Sequence, residues 1–115
     1  MTIDPVRYYG ANGSLFPYDL RHLAADPAFC DPRPDGSVWL RLHTEPGFAE
    51  ANLIYRDGEF KAAPMQLWGE TARFQFWQLQ LQPESAAIQY AFALRRQDGT
   101  IVYFGPSGVT FGLEF

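Results

Sequence analysis

Large apolar residues recur at every second position in three stretches of this chain, which is the period of a strand with one face buried. In residues 87–94, Ile88, Tyr90, Phe92 and Leu94 share one face, and Gln89, Ala91 and Ala93 take the other. In residues 73–81, Trp77, Leu79 and Leu81 form one row, while the opposite row carries Phe74 and Phe76 before it turns to Gln78 and Gln80. One end of that strand is therefore apolar on both sides, and its second side needs a partner. Residues 38–44 alternate as cleanly, with Val38, Leu40 and Leu42 against Trp39, Arg41 and His43. The latter row is the wet or partner-facing side. Residues 82–85 join the 73–81 and 87–94 strands.

Turn signals divide the rest. Residues 3–9 are expected to be extended, with Pro5 confining them to an edge because proline cannot donate to a ladder. Residues 11–14 read as a turn. Leu20, Leu23 and Ala24 at helical spacing, with Asp19 placed to cap, predict at most one short helix near residues 19–25. The prolines, aspartates and glycine of 26–36 predict a rigid irregular loop, so that 17–37 stands out as a Pro/Asp-rich insertion. A strand is expected over 49–56, then a tight hairpin at Asp57-Gly58 and a return over 59–63 closed by Pro64. Trp68 falls beside Gly69 on an expected turn. Gln97-Asp98-Gly99 is a second tight turn before a last strand over 100–104. Residues 105–115 have no clear period and read as the start of a linker. About seven short strands separated by turn signals indicate an all-β antiparallel sandwich. An OB-like barrel is the competing architecture, but it calls for fewer and longer strands.

At 115 residues and 47% apolar composition, the chain is one domain able to bury its own core. Aromatic residues reach 17%, and this excess is the main functional clue. The net charge of −4, with nine scattered basic residues, argues against a nucleic-acid partner, because phosphate binding needs a concentrated basic surface. No run of about 20 apolar residues is present, so no membrane span is expected. Cys30 is the only cysteine, which excludes an internal disulfide and a zinc site built on several thiolates. A reducing, cytoplasmic setting and no cofactor are expected.

The order of pieces resembles a known family, the N-terminal immunoglobulin-like module (family 34 carbohydrate-binding module) of neopullulanases, cyclomaltodextrinases and maltogenic amylases. The matching pieces are Val38-Trp-Leu-Arg-Leu-His-Thr with Pro46-Gly47; Ala51-Asn-Leu-Ile-Tyr-Arg-Asp; Met65; Arg73-Phe-Gln-Phe-Trp with Leu81-Gln-Pro83; Ile88-Gln-Tyr-Ala-Phe-Ala-Leu; and Val102-Tyr-Phe-Gly. The stretch between Tyr18 and Gly36 is longer than the family's usual first connection. The resemblance implies an immunoglobulin-like fold and a non-catalytic module of an α-glucan-acting glycoside hydrolase whose barrel follows in the full enzyme. It further implies as partners an α-glucan or maltooligosaccharide, or a catalytic barrel of the same polypeptide or of a homodimer partner. The barrel's catalytic carboxylates have no counterpart here. The alternative is a free-standing immunoglobulin-like interaction domain with no carbohydrate role.

The candidate carbohydrate-binding or docking residues are Trp39, Arg41, His43, Trp68, Phe74 and Phe76. In an immunoglobulin-like order the 38–44 and 73–81 strands pair, which is expected to bring Trp39, Phe74 and Phe76 together on an outward face beside Arg41, His43 and Gln78. Such a face is either a glucan platform or a docking surface, unless the 18–36 loop covers it. Docking is favoured because phenylalanine lacks a polar handle. Trp68 is read as a sugar contact or an edge-packing ring, and Trp77 as core. His22, His43 and Cys30 lack the spacing of a nucleophile with its base. Asp19, Asp26, Asp31 and Asp35 lack the loop spacing of a calcium site and are expected to serve turns and caps.

Overall fold

The alternating stretches pair as their faces require. In the computed structural model, which describes residues 18–23, 26–85, 88–105 and 108–110, β3 (Val38–Thr44) lies antiparallel to β7 (Gln75–Leu81), with Val38 opposite Leu81 and Thr44 opposite Gln75. Cross-strand partners share a face, so Val38, Leu40, Leu42 and Thr44 point inward together with Leu81, Leu79, Trp77 and Gln75. This pair is the middle of one five-stranded sheet. Its far side is completed by β6 (Gln66–Glu70) on β7. Its near side is shared by two short strands on one edge of β3: β1 (Leu20–Arg21) opposite Thr44 and His43, and β2 (Cys30–Pro32) opposite Leu40 to Val38.

The second five-stranded sheet is built on β4 (Phe48–Asp57) and β8 (Gln89–Arg96), flanked by β5 (Glu59–Pro64) on one side and by β9 (Ile101–Gly105) and β10 (Gly108–Thr110) on the other. The turn at Asp57-Gly58 closes as expected, with Gly58 at φ 81°, a conformation that costs a residue with a Cβ. The two sheets face each other over a core that includes Leu40, Leu42, Leu53, Trp77, Tyr90, Phe92, Leu94 and Phe104. This is an all-β, immunoglobulin-like sandwich.

Four expectations change. No helix occupies the described part of 19–25. Leu20 and His22 point inward and are fully buried while Arg21 lies half-buried between them, so the period there is two, not 3.6. The Pro/Asp-rich loop carries strand β2, where Pro32 is tolerated because its strand lies on a sheet edge. The Trp68 segment is a strand, β6, and not a turn. Gly108–Thr110, expected to open a linker, form a hairpin with β9. The expected strand over 3–9, the turn at 11–14 and the tail at 111–115 lie outside the described residues.

Buried polar groups are spent on holding strands together. Gln75 occupies an inward position at 4% exposure, accepting from the Phe48 N–H through Oε1 and donating to the Phe48 carbonyl through Nε2, each at 3.0 Å. One side-chain amide thus stands in for a strand partner where the β4–β8 register shifts after Phe48. Asp57 accepts the backbone N–H groups of Glu84 and Ser85, both at 2.7 Å, and so ties the β7–β8 connection to the β4–β5 hairpin.

Candidate functional site

The outer surface of the β3–β7 sheet carries the candidate residues, and the register divides it in two. Pairing sets His43 opposite Phe76, Arg41 opposite Gln78 and Trp39 opposite Gln80. Trp39 therefore stands four residues along β3 from the strand position facing Phe76, about 13 Å at strand rise. It is not the neighbour of Phe74 and Phe76 that the sequence led us to expect; His43 takes that place.

Around Phe76 the rings form a cluster. The His43 imidazole meets it edge-on, with centroids 4.7 Å apart and planes at 81°. Trp68 lies 5.4 Å away at 32°, and Phe74 6.5 Å away at 35°. Phe74 is fixed just ahead of β7 by a turn in which the Thr71 hydroxyl oxygen accepts the Arg73 and Phe74 N–H groups, while the Thr71 N–H donates to the Phe74 carbonyl at 2.7 Å. Trp68 reaches the face because the β6–β7 register slips between Leu67 and Gly69, placing Gly69 opposite Phe76. Its ring remains 52% exposed, an edge tryptophan resting on a neighbour. The described residues of the 18–36 segment cover one flank: Phe29 packs on His43 at 4.8 Å, and the Arg21 guanidinium sits 4.9 Å over the Phe74 ring. Phe29 and Arg21 were missed in the sequence because nothing in a short, proline-interrupted segment marks which strand edge it will join.

Burial, aided by the Arg21 charge, lowers the pKa of His43 from its ordinary value, so at neutral pH the imidazole is an uncharged ring. The cations around it are arranged unevenly. Arg21 is paired with Asp19 at 3.0 Å, and Arg33 with Asp31 at 3.1 Å. Arg41 lies 5.7 Å over Trp39 and Arg73 lies 5.6 Å over Phe74, and among the described residues neither has a carboxylate partner. The other half of the face is polar. Trp39, half-buried, has Asp31 of β2 on one side and Gln80 of β7 on the other, with Arg41 two residues along.

The groups that suggested chemistry are committed to the core. His22 is fully buried; because a carbonyl only accepts, its Nδ1 carries the proton and donates to the Arg41 oxygen at 2.8 Å, leaving Nε2 to accept from the Tyr90 hydroxyl at 2.8 Å. Burial drives its pKa down to about 4, a fall opposed by the Arg41 hydrogen bond and furthered by His43. Burial likewise pushes the Cys30 thiol up to about 11 although the Tyr90 hydroxyl bonds to it, so Cys30 is no thiolate nucleophile at neutral pH. Asp26 Oδ1 accepts the Ala28 N–H and Asp35 Oδ1 the Ser37 N–H, both at 2.9 Å, as turn aspartates do. Trp77 is core, 3% exposed, with its indole N–H donated to the Thr44 hydroxyl at 3.1 Å. No group of three or more His, Cys, Asp or Glu side chains among the described residues is placed to hold a metal, and no described helix is long and apolar enough to cross a membrane.

Two facing antiparallel sheets with this strand order, a tryptophan in the core and a ring cluster outside it define an immunoglobulin-like module. The family model for the N-terminal ig-like domain of alpha amylase matches residues 25–114, and the chain belongs to that family. Among solved structures it is similar to a cyclomaltodextrinase, with a TM-score of 0.73 and 15% identity over 83% of this chain. At that identity the likeness is one of fold. The matched region is 17% of the cyclomaltodextrinase chain, so this chain corresponds to a small part of such an enzyme. No curated protein sequence matches it.

Proposed function

We propose that this chain is a non-catalytic N-terminal module of an α-glucan-acting glycoside hydrolase of the cyclomaltodextrinase or neopullulanase type. Its Phe76-centred face seats against a catalytic barrel, that of the same polypeptide or of a homodimer partner. The observation that carries this reading is the shape of the ring cluster. Sugar stacking needs an open, flat aromatic face, but His43 stands at 81° to Phe76 and guanidinium groups lie over Phe74. Such a corrugated apolar surface, bordered by polar groups, suits the core of a protein interface. The non-catalytic assignment rests on the duties of the carboxylates: Asp19 and Asp31 serve ion pairs, Asp26 and Asp35 turns, and Asp57 two backbone amides. Glycoside hydrolysis instead uses two carboxyl groups facing each other across the scissile bond.

A second reading belongs to the polar half. Trp39 has Asp31 and Gln80 opposite it, groups able to reach sugar hydroxyls, and because Arg41 lies over one side of its ring a maltooligosaccharide would take the other side. One set of variants separates the two. Phe76→Ser should abolish association with a barrel and leave sugar-induced changes in Trp fluorescence untouched. Trp39→Ala should do the opposite. Loss of the sugar response in Phe76→Ser with association unchanged would make the ring cluster the glucan platform and end the docking reading.

A further inference from the structure

The chain as a whole carries −4, yet Arg41 and Arg73, which have no carboxylate partner among the described residues, bracket the apolar centre of the ring-cluster face. Each guanidinium lies over an aromatic ring, at 5.7 Å for Arg41 on Trp39 and 5.6 Å for Arg73 on Phe74, which restrains it and leaves its fork of N–H donors available. Between them His43 is held neutral, so the middle of the face is uncharged. Glu70, opposite Gln75, makes no ion pair with either arginine.

We propose, building on the docking reading, that the partner surface is acidic: a protein surface with two carboxylate groups set to meet Arg41 and Arg73 on either side of an apolar patch that covers Phe76. Arg41 lies opposite Gln78, two residues past Phe76, and Arg73 sits in the Thr71–Phe74 turn just ahead of β7, so the two cations come from opposite ends of the ring cluster. A neutral glucan has no charge to answer them, and nucleic acid would find on this face, among the described residues, two cations without a carboxylate partner on a chain of net charge −4. An ion pair to a preorganised arginine, closed off by apolar contact around it, is the arrangement in which interface charges fix register and partner choice.

The test titrates this chain into the catalytic domain of a cyclomaltodextrinase stripped of its own N-terminal module, at low and at moderate salt. Binding should weaken at least about tenfold between ~50 mM and ~300 mM salt, as exposed and half-exposed ion pairs are screened. The double variant Arg41→Glu/Arg73→Glu should weaken it by at least about tenfold at low salt, and Arg41→Lys/Arg73→Lys should recover part of the loss because the charge is kept. Thermal melts of both double variants, expected to match the parent, exclude misfolding. Binding that ignores charge reversal and salt but is lost in Phe76→Ser would overturn the acidic partner and leave docking standing. No binding, or binding indifferent to Phe76→Ser as well, would overturn the docking reading itself.

Discussion

The two faces of the β3–β7 sheet are made from the same strands, and both carry rings, the inner one Trp77 in a core shared with Tyr90, Phe92 and Phe104 of the other sheet, yet they are built to different standards. On the inner face Trp77 is 3% exposed with its N–H satisfied by Thr44, and Gln75 gives both ends of its amide to Phe48. These buried polar atoms have partners, as a dry core demands, and Arg96 Nη1, buried beside the Phe48 ring, is the exception among the described side chains. On the outer face the His43 and Phe76 rings meet edge-on, Trp68 is half exposed, and Arg41 and Arg73 have aromatic contacts but no carboxylate partner among the described residues. At Trp77 and Gln75 the polar groups are paired within the described residues, whereas at Arg41 and Arg73 they are not, and the outer side is the one proposed to meet a partner.

The sharpest way to break this contrast is to empty the inner face. Trp77→Ala should cost about 3–5 kcal/mol in urea unfolding, the range for truncating a large aromatic in a packed core. A loss under about 1 kcal/mol would mean that the sandwich closes without it.

Acid should attack the inner side next. The folded protein holds His22 near 4, whereas the unfolded chain titrates near 6.5. The unfolded state thus binds the proton first, so stability is complete above pH 6.5 and falls as the pH drops from there toward 4, by about 3 kcal/mol in all. His22→Gln should remove most of the slope in that window, the rest belonging to His43, whose pKa is also lowered. Melts of the parent that stay flat between pH 6.5 and 4 would contradict the buried neutral imidazole.

A smaller loss is expected at Asp57. Burial raises its pKa, but the Ser85 hydroxyl and the Glu84 and Ser85 N–H groups outweigh that, with help from Lys61, and the net shift is downward. Its contribution is present above the ordinary carboxylate value and fades as pH falls below it. Asp57→Ala, which leaves two backbone N–H groups of the β7–β8 connection without their acceptor, should cost about 2–3 kcal/mol at neutral pH. Unfolding curves at neutral pH check this directly, and an unchanged midpoint would show that water replaces the carboxylate.

The inner face was the legible part of the sequence. The rows of Val38, Leu40 and Leu42, of Trp77 and Leu81, and of Ile88, Tyr90, Phe92 and Leu94 could be assigned because burial on one side imposes a period of two over whole strands. The outer face was only half legible. The pairing of β3 with β7 followed from the family order, but pairing does not fix register, and only register decides that His43, not Trp39, faces Phe76. Short elements failed for want of length. Leu20 and Leu23 fit a helix turn by spacing, whereas two residues of β1 paired to Thr44 and His43 outweigh that propensity. In β6 the register slip beside Trp68 erases the alternation that would have marked a strand. Cys30–Pro32 and Gly108–Thr110 sit on sheet edges, where proline and glycine are tolerated, so their composition reads as loop.

The central claim is that the outer rings are dispensable to the fold and the inner ones are not, and the most direct test compares neighbours in one strand. Phe76 and Trp77 are adjacent in β7, similar in bulk, and point to opposite sides. Urea unfolding of Phe76→Ser should show a loss of about 1 kcal/mol, for a half-buried ring, against about 3–5 kcal/mol for Trp77→Ala. Equal losses, or a larger one at Phe76, would mean that the outer cluster is a second core and that no face of this sheet is held in reserve.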